Sequence, residues 1–600
     1  MNTKISLDTA QLPQWDLTDL YPAMDCSELE QDFDKLDKLS TNFSEKYKEK
    51  LTELTAHEIL NSVLEYEVME EIMGRIMSYA SLLHAGNVID SDISKFYQSC
   101  HERLTIISTK LLFFTLEINR IDDEKIEKWL TTSSKLNRYR PWFESVRQYR
   151  THQLADNLEE LILEKSVAGK TAWVRLFDET MANMKFNYSD PVTGDIESIG
   201  TEQALDYLSD SKGDVRKSAA TCLSDTFTQN IRLFTHITNT LAKDKEIEDR
   251  WRKYDNPASS RHLSNQLEQN VVDALVKAVK DAYPRLSHRY YRMKAEWFGK
   301  DKLDWWDRNA PLPEADNRIY QWSDAKETVL DAYHAFSPEM AKIGQKFFDN
   351  NWIDAPIRDG KSPGAFAHPT VPSAHPYLLL NYLGKTRDVM TLAHELGHGV
   401  HQVLAGPQGP LLSDTPLTLA ETASVFGEML TFRSLLSKEQ DSRKRKIMIA
   451  SKVEDMLNTV VRQIAFYDFE TRVHKARMAG ELSADDLGDI WMAVQSESLG
   501  DAIRLDDSYR TFWCYIPHFI HSPFYVYAYA FGDCLVNSLY ATYQKQHGDF
   551  QGKYMDMLRA GGSLRHTELL KPFGLDANNP DFWATGLNMI SDLINEIDNL

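Results

Sequence analysis

Apolar residues spaced three and four positions apart run through most of this 600-residue sequence. The pattern is clear in residues 51–77, 271–279 and 447–466. An α-helix has about 3.6 residues per turn, so this spacing places the apolar side chains on one face. The sequence therefore predicts a mostly α-helical protein built from many helices.

Strand patterns are few and short. Residues 184–188 and 196–199 flank a Pro/Gly turn, which predicts a β-hairpin. Three further short strands are predicted at residues 303–307, 365–367 and 375–382. Before the hairpin the sequence is rich in Glu, Lys and Leu at helical spacing. We therefore expect an N-terminal helical lobe over residues 1–195 and a second domain over residues 196–600.

Composition excludes several classes of function. The formal net charge of -22 and the lack of a long Lys/Arg run disfavour nucleic acids and anionic membrane surfaces as partners. No apolar stretch is long enough to span a bilayer, and the N-terminus lacks the features of a signal peptide. We therefore expect a cytoplasmic protein. Its five cysteines are far apart without a CxxC pair, which is typical of reduced, buried thiols.

The segment GKTRDVMTLAHELGHGVHQVLAG predicts one amphipathic helix that begins at Thr386 and stops at Gly406 and Pro407. Within it, His394 and His398 are four residues apart and share one face, where two imidazoles can reach one metal ion. Glu395 points about 100° away around the helix. That direction suits a general base acting on water beside a zinc ion.

A catalytic zinc needs a third protein ligand and one open position. The next helix is predicted to start with Thr415 as N-cap and Pro416 in its first turn, and it carries Glu421 among apolar and small residues. A carboxylate in such surroundings is costly to bury without a partner such as zinc. Glu428 lies seven residues further on the same face, where it can accept a proton from a ligand histidine or be a solvent-exposed acid. His401 is an alternative ligand.

The segment IPHFIHSPFYVYAYAFG holds a second group of chemically active side chains. Ser522 and Pro523 predict a helix N-cap and first turn, which leaves His518 and His521 in the preceding loop. From that start Tyr525 and Tyr529 share a face. Tyr527 points elsewhere and is predicted to be a core residue.

These segments resemble the zinc oligopeptidase family that contains thimet oligopeptidase, and most closely its bacterial oligoendopeptidase F branch. The likeness extends nearly end to end, from WDLTDLYP through HELGHGVHQ and AETASVFGEML to AGGSLRHTELLKPFGLD. The family's metal motifs match His394, Glu395, His398 and Glu421 without departure. The resemblance implies one zinc ion per chain. It also implies a helical ellipsoid divided by a deep substrate channel, with a small β-sheet beside the zinc site.

The resemblance also implies roles for the second group. A histidine and tyrosines of this segment stabilise the oxyanion in the family, and these roles fall on His518 and Tyr529, with Tyr525 and His521 as further candidates. The segment HPYLLLNY, residues 375–382, would be an edge strand that pairs with an extended substrate backbone, or plain scaffold.

The predicted function is zinc-dependent hydrolysis of internal bonds in short, unfolded oligopeptides in the cytoplasm, by a monomer or small homo-oligomer. Two alternatives stay open. One is a dipeptidyl carboxypeptidase or carboxypeptidase on the same scaffold. The other is an inactive peptide-binding helical protein.

Overall fold

The computed structural model describes residues 7–166, 168–312, 318–545 and 548–600, and these residues are mostly helical, as predicted. The α-helices are α1 (Ser27–Tyr47), α2 (Ala56–Gly86), α3 (Ser91–Arg120), α4 (Asp123–Thr132), α5 (Ser134–Asn137), α6 (Arg140–Arg147), α7 (Asp156–Ser166), α8 (Lys170–Asn183), α9 (Thr201–Asp206), α10 (Gly213–Arg252), α11 (Ser259–Ser264), α12 (Gln269–Ala282) and α13 (Ser287–Trp297). They continue with α14 (Trp322–Phe336), α15 (Pro338–Asp349), α16 (Thr386–Ala405), α17 (Leu417–Lys438), α18 (Ser442–Thr459), α19 (Val461–Ala479), α20 (Ala484–Leu499), α21 (His518–His521), α22 (Tyr527–Lys545), α23 (Phe550–Arg559), α24 (His566–Leu570) and α25 (Pro580–Asp598). Within the described part of the chain, no helix combines the length and apolar character needed to cross a membrane.

Helix α2 shows how the local sequence produces these elements. Thr55 and Glu58 form a capping box at its start, which satisfies backbone donors that the first helical turn leaves unpaired. Its apolar residues Ile59, Val63 and Ile76 are fully buried. They belong to the core of the first unit defined below, together with apolar residues of α1 and α3.

Over the residue ranges given above, seven short strands form three small sheets. They are β1 (Phe186–Ser189), β2 (Ile196–Ile199), β3 (Leu303–Asp304), β4 (Ile353–Asp354), β5 (Phe366–His368), β6 (Tyr377–Leu379) and β7 (Ile503–Arg504). The predicted hairpin is confirmed: β1 and β2 are antiparallel, with Phe186 opposite Ile199. Strands β3 and β7 pair in parallel. The third sheet has the order β4-β6-β5, with β4 parallel and β5 antiparallel to the central strand β6.

Contacts divide the chain into two compact units, each assembled from three separate stretches. The first unit comprises Met1–Arg150, Asn317–Lys438 and Thr542–Leu575. The second unit comprises Thr151–Asp316, Glu439–Ala541 and Asp576–Leu600. The predicted domains, residues 1–195 and 196–600, are each one continuous stretch of sequence, unlike these units. The predicted domain boundary stays a prediction.

The five cysteines are free thiols, as predicted. Cys100, Cys222, Cys514 and Cys534 are buried, whereas Cys26 is half-buried. Burial raises the pKa of the Cys100 and Cys222 thiols to about 11. These thiols are therefore protonated near neutral pH and behave as small apolar residues.

Candidate metal centre and active site

Helix α16 carries the two histidines of the predicted metal motif. It begins at Thr386 and ends at Ala405, so the predicted start and the predicted stop at Gly406 are both confirmed. The carboxylate of Asp388 accepts the backbone N–H of Lys385 at 3.0 Å, which helps to satisfy the start of the helix.

Helix α17 (Leu417–Lys438) carries Glu421. The sequence predicts Thr415 as N-cap, with Pro416 already in the first turn. The helix instead begins one residue after the proline, and the Pro416 carbonyl accepts the N–H of Leu419 at 2.8 Å. The predicted start is therefore wrong by one residue: Pro416 precedes the helix, and its carbonyl accepts the first helical hydrogen bonds.

The three predicted ligands lie together in the first unit. Nε2 of His394 is 3.3 Å and Nε2 of His398 is 3.5 Å from Oε2 of Glu421. Among the described residues they are the only group of three or more potential ligands whose donor atoms all lie within 4.8 Å of one another. A tetrahedral zinc with bonds of about 2.0–2.2 Å holds its ligand atoms about 3.3–3.6 Å apart. The donor set therefore fits a zinc ion in both chemistry and spacing.

Two carboxylates favour positive charge at His394. Besides Glu421 at Nε2, Oε2 of Glu428 lies 3.2 Å from Nδ1. Burial lowers the pKa of His394, but hydrogen bonds to the two carboxylates raise it well above its ordinary value overall. Burial raises the pKa of Glu421, yet His394 and Ser424 bring it down to about 2. The same charge distribution would stabilise a divalent cation.

Glu395, the predicted base, follows the first histidine on α16 and is only 7% exposed. Burial raises its pKa to about 7, against the opposing influence of the His394 charge and of the Ala367 amide in β5. A carboxylate with a pKa near neutrality can both accept a proton and return it.

Helices α16 and α17 are in close backbone contact beside Gly397. A Cβ at this position would lie 2.5 Å from the carbonyl oxygen of Ala423 and 2.6 Å from Cα of Ser424. Only glycine allows backbone contact at this distance. The contact sets the spacing between the helix that carries the histidines and the helix that carries the carboxylate.

Two buried tyrosines fix the backbone beside these ligands. Tyr333 in α14 donates its hydroxyl hydrogen to the carbonyl of Ala393, the residue before the first histidine, at 2.5 Å. Tyr554 in α23 donates to the carbonyl of Thr422, the residue after the candidate carboxylate, at 2.7 Å. Sequence reasoning missed both, because nothing local distinguishes these tyrosines from other core aromatics.

His401, the alternative ligand, lies apart from the donor group. It is 5% exposed, and its Nε2 is 3.5 Å from Oγ1 of Thr415. Burial lowers its pKa to about 4, so the ring is neutral near pH 7.

A cavity of about 730 Å³ opens beside His398, within the first unit. Its walls come from α2, the segment of residues 369–376, α16 and the loop that precedes α17. His401 also lies on the wall. The volume is in the range of about 300–1,000 Å³ typical of ligand sites.

His518, Tyr525 and Tyr529 lie together in the second unit. Nε2 of His518 is 3.2 Å from the Tyr529 hydroxyl oxygen. The Tyr525 ring centroid is 6.2 Å from that of His518 and 5.2 Å from that of Tyr529. Burial lowers the pKa of His518, which favours the neutral imidazole. The cluster therefore offers phenol and imidazole hydrogen-bond donors.

The backbone of this segment differs from the prediction. Residues His518–His521 form the short helix α21, and the following long helix begins at Tyr527 and not at Ser522. Phe524 has a φ of +61°, a left-handed conformation that interrupts a right-handed helix. Oε1 of the Glu470 carboxyl group accepts the Phe524 N–H at 2.8 Å, which stabilises the interruption. The predicted helix start is therefore wrong.

Glu470 contacts the segment that carries His518 and Tyr529, and sequence reasoning missed it. It lies on α19 and is only 2% exposed. The backbone turn at residues 523–524 has a second side-chain contact: Nε of Arg261 donates a hydrogen bond to the carbonyl of Pro523 at 3.4 Å. The available signal was an acid between Phe469 and Val473 on a helix with many apolar residues, but its partner is distant in sequence.

The other residues of the segment have separate partners. Nε2 of His521 lies 2.7 Å from Oδ1 of Asp178. Tyr527 is fully buried, as predicted, and its hydroxyl lies 2.8 Å from Nδ2 of Asn265 and 3.0 Å from Nδ1 of His262.

The resemblance implies that the segment 375–382 is an edge strand that pairs with substrate, with plain scaffold as the alternative. Its regular part, β6, is instead the central strand of its sheet, so its backbone groups pair on both sides. Strand β5 lies at one edge of this sheet, and the carbonyl of its Ala367 accepts a hydrogen bond from Gln402 of α16 at 3.4 Å. The sheet thus lies beside the helix that carries the two histidines, and its two edges are formed by β4 and β5.

Comparison with known proteins identifies the family. Residues 207–589 match the model of peptidase family M3. The chain belongs to peptidase family M3. Residues 117–186 also match the model described as Oligopeptidase F. Every predicted site residue from His394 to Tyr529 lies in the M3 match, and membership of this family supports a metallopeptidase.

Relatives of this M3 peptidase match along most of its length. It is 26% identical to Oligopeptidase PepF of Bacillus subtilis over 98% of this chain and 87% of that protein. It is 26% identical to an oligoendopeptidase F homolog of Borreliella burgdorferi over 94% of this chain and 93% of that protein. The crystal structure of oligoendopeptidase-F from Enterococcus faecium superposes with a TM-score of 0.73 at 22% identity, covering 96% of this chain and 99% of that one. The fold is therefore that of the oligoendopeptidase F structures.

Proposed function

We propose that this M3 peptidase is a zinc-dependent endopeptidase that hydrolyses internal bonds of short, unfolded oligopeptides in the cytoplasm. The observation that carries the proposal is the spacing of 3.3 and 3.5 Å from the two imidazole nitrogens to one carboxylate oxygen. The names of the relatives, oligopeptidase and oligoendopeptidase F, support the substrate class.

In this proposal His394, His398 and Glu421 hold one zinc ion per chain. Zinc supplies a Lewis acid that polarises a peptide carbonyl and makes water more acidic. Glu428 would accept a hydrogen bond from Nδ1 of His394, which leaves Nε2, on the side of Glu421, as the nitrogen that would hold the metal.

Glu395 carries the proton in the proposed reaction. Its carboxylate accepts a proton from the attacking water and delivers it to the leaving amine nitrogen. Its burial favours this role, because a buried carboxylate gives up its proton less readily than an exposed one.

The oxyanion-donor role of His518 and Tyr529 remains part of the proposal. Its support is the hydrogen-bonded pair that these residues form, with Tyr525 packed beside them. His521 is a weaker candidate, since its Nε2 already contacts the carboxylate of Asp178.

The test uses an internally quenched peptide blocked by acetylation and amidation. We expect internal cleavage that a chelator abolishes and that one equivalent of zinc restores. Cleavage of peptides with a free carboxyl terminus alone would favour the carboxypeptidase alternative. Tight peptide binding without any cleavage by the zinc-loaded protein would favour the peptide-binding alternative.

A further inference from the structure

The cavity beside His398 has an excess of negative charge. Glu70 and Glu71 of α2 and Asp414 of the loop before α17 line it, against a single lysine, Lys346 of α15. Among the described residues, no lysine or arginine nitrogen lies within 4.0 Å of any of these three carboxylates. The formal charge of the wall is therefore negative and is not neutralised locally.

The histidines on the wall do not reverse this sign. His398 serves as a neutral ligand in the proposed metal site. His401 is almost fully buried, at 5% exposure, which disfavours a charged ring. His375 lies on the wall as well, and its Nε2 contacts the carboxylate of Asp19 at 2.9 Å. A positive charge on the His375 ring would therefore lie next to the carboxylate of Asp19.

Glu70 and Glu71 are held in place by different contacts. Oε1 of Glu71 accepts the backbone N–H of Ser373 at 3.0 Å, which ties α2 to the lining segment of residues 369–376. Glu70 is half-buried, and burial raises its pKa. A carboxylate in this position gains stability when a cation approaches it.

We propose that this cavity binds a positively charged group of the peptide substrate, either a Lys or Arg side chain near the scissile bond or a free amino terminus. The inference rests on the proposed function, because the cavity reaches His398, a candidate ligand of the catalytic ion. The cavity is large enough for a guanidinium side chain. A cation entering it meets carboxylates from two separate elements, α2 and the loop before α17.

The two sources of positive charge are separated by the choice of peptides. One arm uses peptides blocked at both ends that carry a single arginine at each of three positions on either side of the cleaved bond. Each is paired with a peptide in which citrulline, an uncharged residue of nearly the same shape, replaces the arginine. The other arm compares free and acetylated amino termini on an otherwise neutral peptide.

We expect kcat/KM for the charged peptide to exceed that of its neutral partner by about tenfold in at least one arm, an effect of the size that close charge pairs produce. The preference should weaken as salt concentration rises. In Glu70→Gln, Asp414→Asn and the double variant, the charged-to-neutral ratio should fall towards one. The matched control Glu124→Gln, on the exposed face of α4, should keep the wild-type ratio.

Zinc content and the thermal midpoint are measured for every variant, and the single substitutions serve if the double variant does not fold. A ratio near one in both arms for the wild type, or an unchanged ratio in the variants, would overturn this inference while leaving the endopeptidase proposal intact. Absence of cleavage of every peptide by the zinc-loaded wild type would overturn the proposed function, and this inference with it.

Discussion

Three glutamates of α16 and α17 lie in different surroundings. The surroundings of each carboxyl group determine the chemical role to which it is suited. The carboxylate of Glu421 lies near both imidazole Nε2 atoms, which favours its ionised, ligating form. Glu428 contacts the outer nitrogen of His394, a position suited to orienting the ring. Glu395 is buried with a pKa of about 7 and is the carboxylate suited to proton transfer.

Glu395→Gln should separate chemistry from metal binding. The amide has nearly the same shape and is not part of the donor set, so we expect one zinc per chain. It cannot accept the proton, and we expect kcat to fall by about 10²–10⁴-fold or more. Metal analysis and turnover of a blocked peptide measure the two effects. Normal turnover in this variant would show that another group is the base.

Glu470 should make the stability of the protein depend on pH. Burial raises its pKa from 4.5 to about 8. Between these values the unfolded chain loses this proton while the folded chain keeps it, so the contribution of Glu470 to stability falls as pH rises. Below pH 4.5 the carboxyl is protonated in both states, and the contribution is constant.

The matched variant is Glu470→Gln, which keeps a carbonyl oxygen for the Phe524 N–H and has no proton to lose. We expect the urea midpoint of the variant, measured relative to that of the wild type, to rise as the pH is raised from 5 to 8. Urea titrations of both proteins at several pH values measure the difference. Parallel pH curves would contradict a neutral, buried carboxyl.

At the scale of elements, the contact between α16 and α17 matters more than either helix alone. The helices meet at Gly397 with no room for a side chain, and tyrosines from α14 and α23 bond to carbonyls beside the candidate ligands. The distance between the histidines and the carboxylate is thus set by backbone packing. Side-chain flexibility alone cannot easily compensate for a change in that packing.

Gly397→Ala should therefore weaken metal binding without altering any ligand. The added methyl would lie 2.5 Å from a backbone oxygen, so the helices must separate. We expect at least about a tenfold loss of zinc affinity, as when the supports of metal ligands are removed. Gly406→Ala is the matched control, because a Cβ there meets nothing within 4 Å. Equal zinc affinities by competition with a chromophoric chelator would contradict the argument.

At the scale of the whole molecule, each unit is assembled from stretches that are far apart in sequence. The candidate metal ligands all lie in the middle stretch of the first unit, whereas His518 and Tyr529 lie in the second unit. Folding of the first unit therefore requires contacts between its amino-terminal helices and residues more than 150 positions later. These long-range contacts stabilise the helices that carry the ligands.

Metal removal should lower the stability of the chain. An ion bound only by the folded state stabilises it by about 2.7 kcal/mol when free zinc is a hundredfold above Kd. We expect the thermal midpoint to fall on chelation and to return when zinc, but not magnesium, is added. Glu421→Ala should bind zinc poorly and show little of this response. Equal responses of the variant and the wild type would place the ion elsewhere.

The sequence by itself determined the features that depend on local periodicity and local punctuation. The start and stop of the zinc-motif helix follow from Thr386 and the Gly406-Pro407 pair, and the hairpin follows from two short alternating runs around a turn. The shared face of His394 and His398 follows from their four-residue spacing. Each of these features depends on residues that are close together in sequence, so neighbours along the chain suffice to predict it.

Tertiary structure alone decided the features that need a distant partner. The helix expected at Ser522 is interrupted because Glu470, some fifty residues earlier, accepts the Phe524 amide. Strand β6 is central because β4 and β5 pair with its two sides, and no property of its own sequence reveals this. The charge of the cavity beside His398 depends on Glu70 and Asp414, which folding brings to one wall from distant parts of the chain. Hydrogen bonds and charges act through space, and the sequence order does not record which groups will meet.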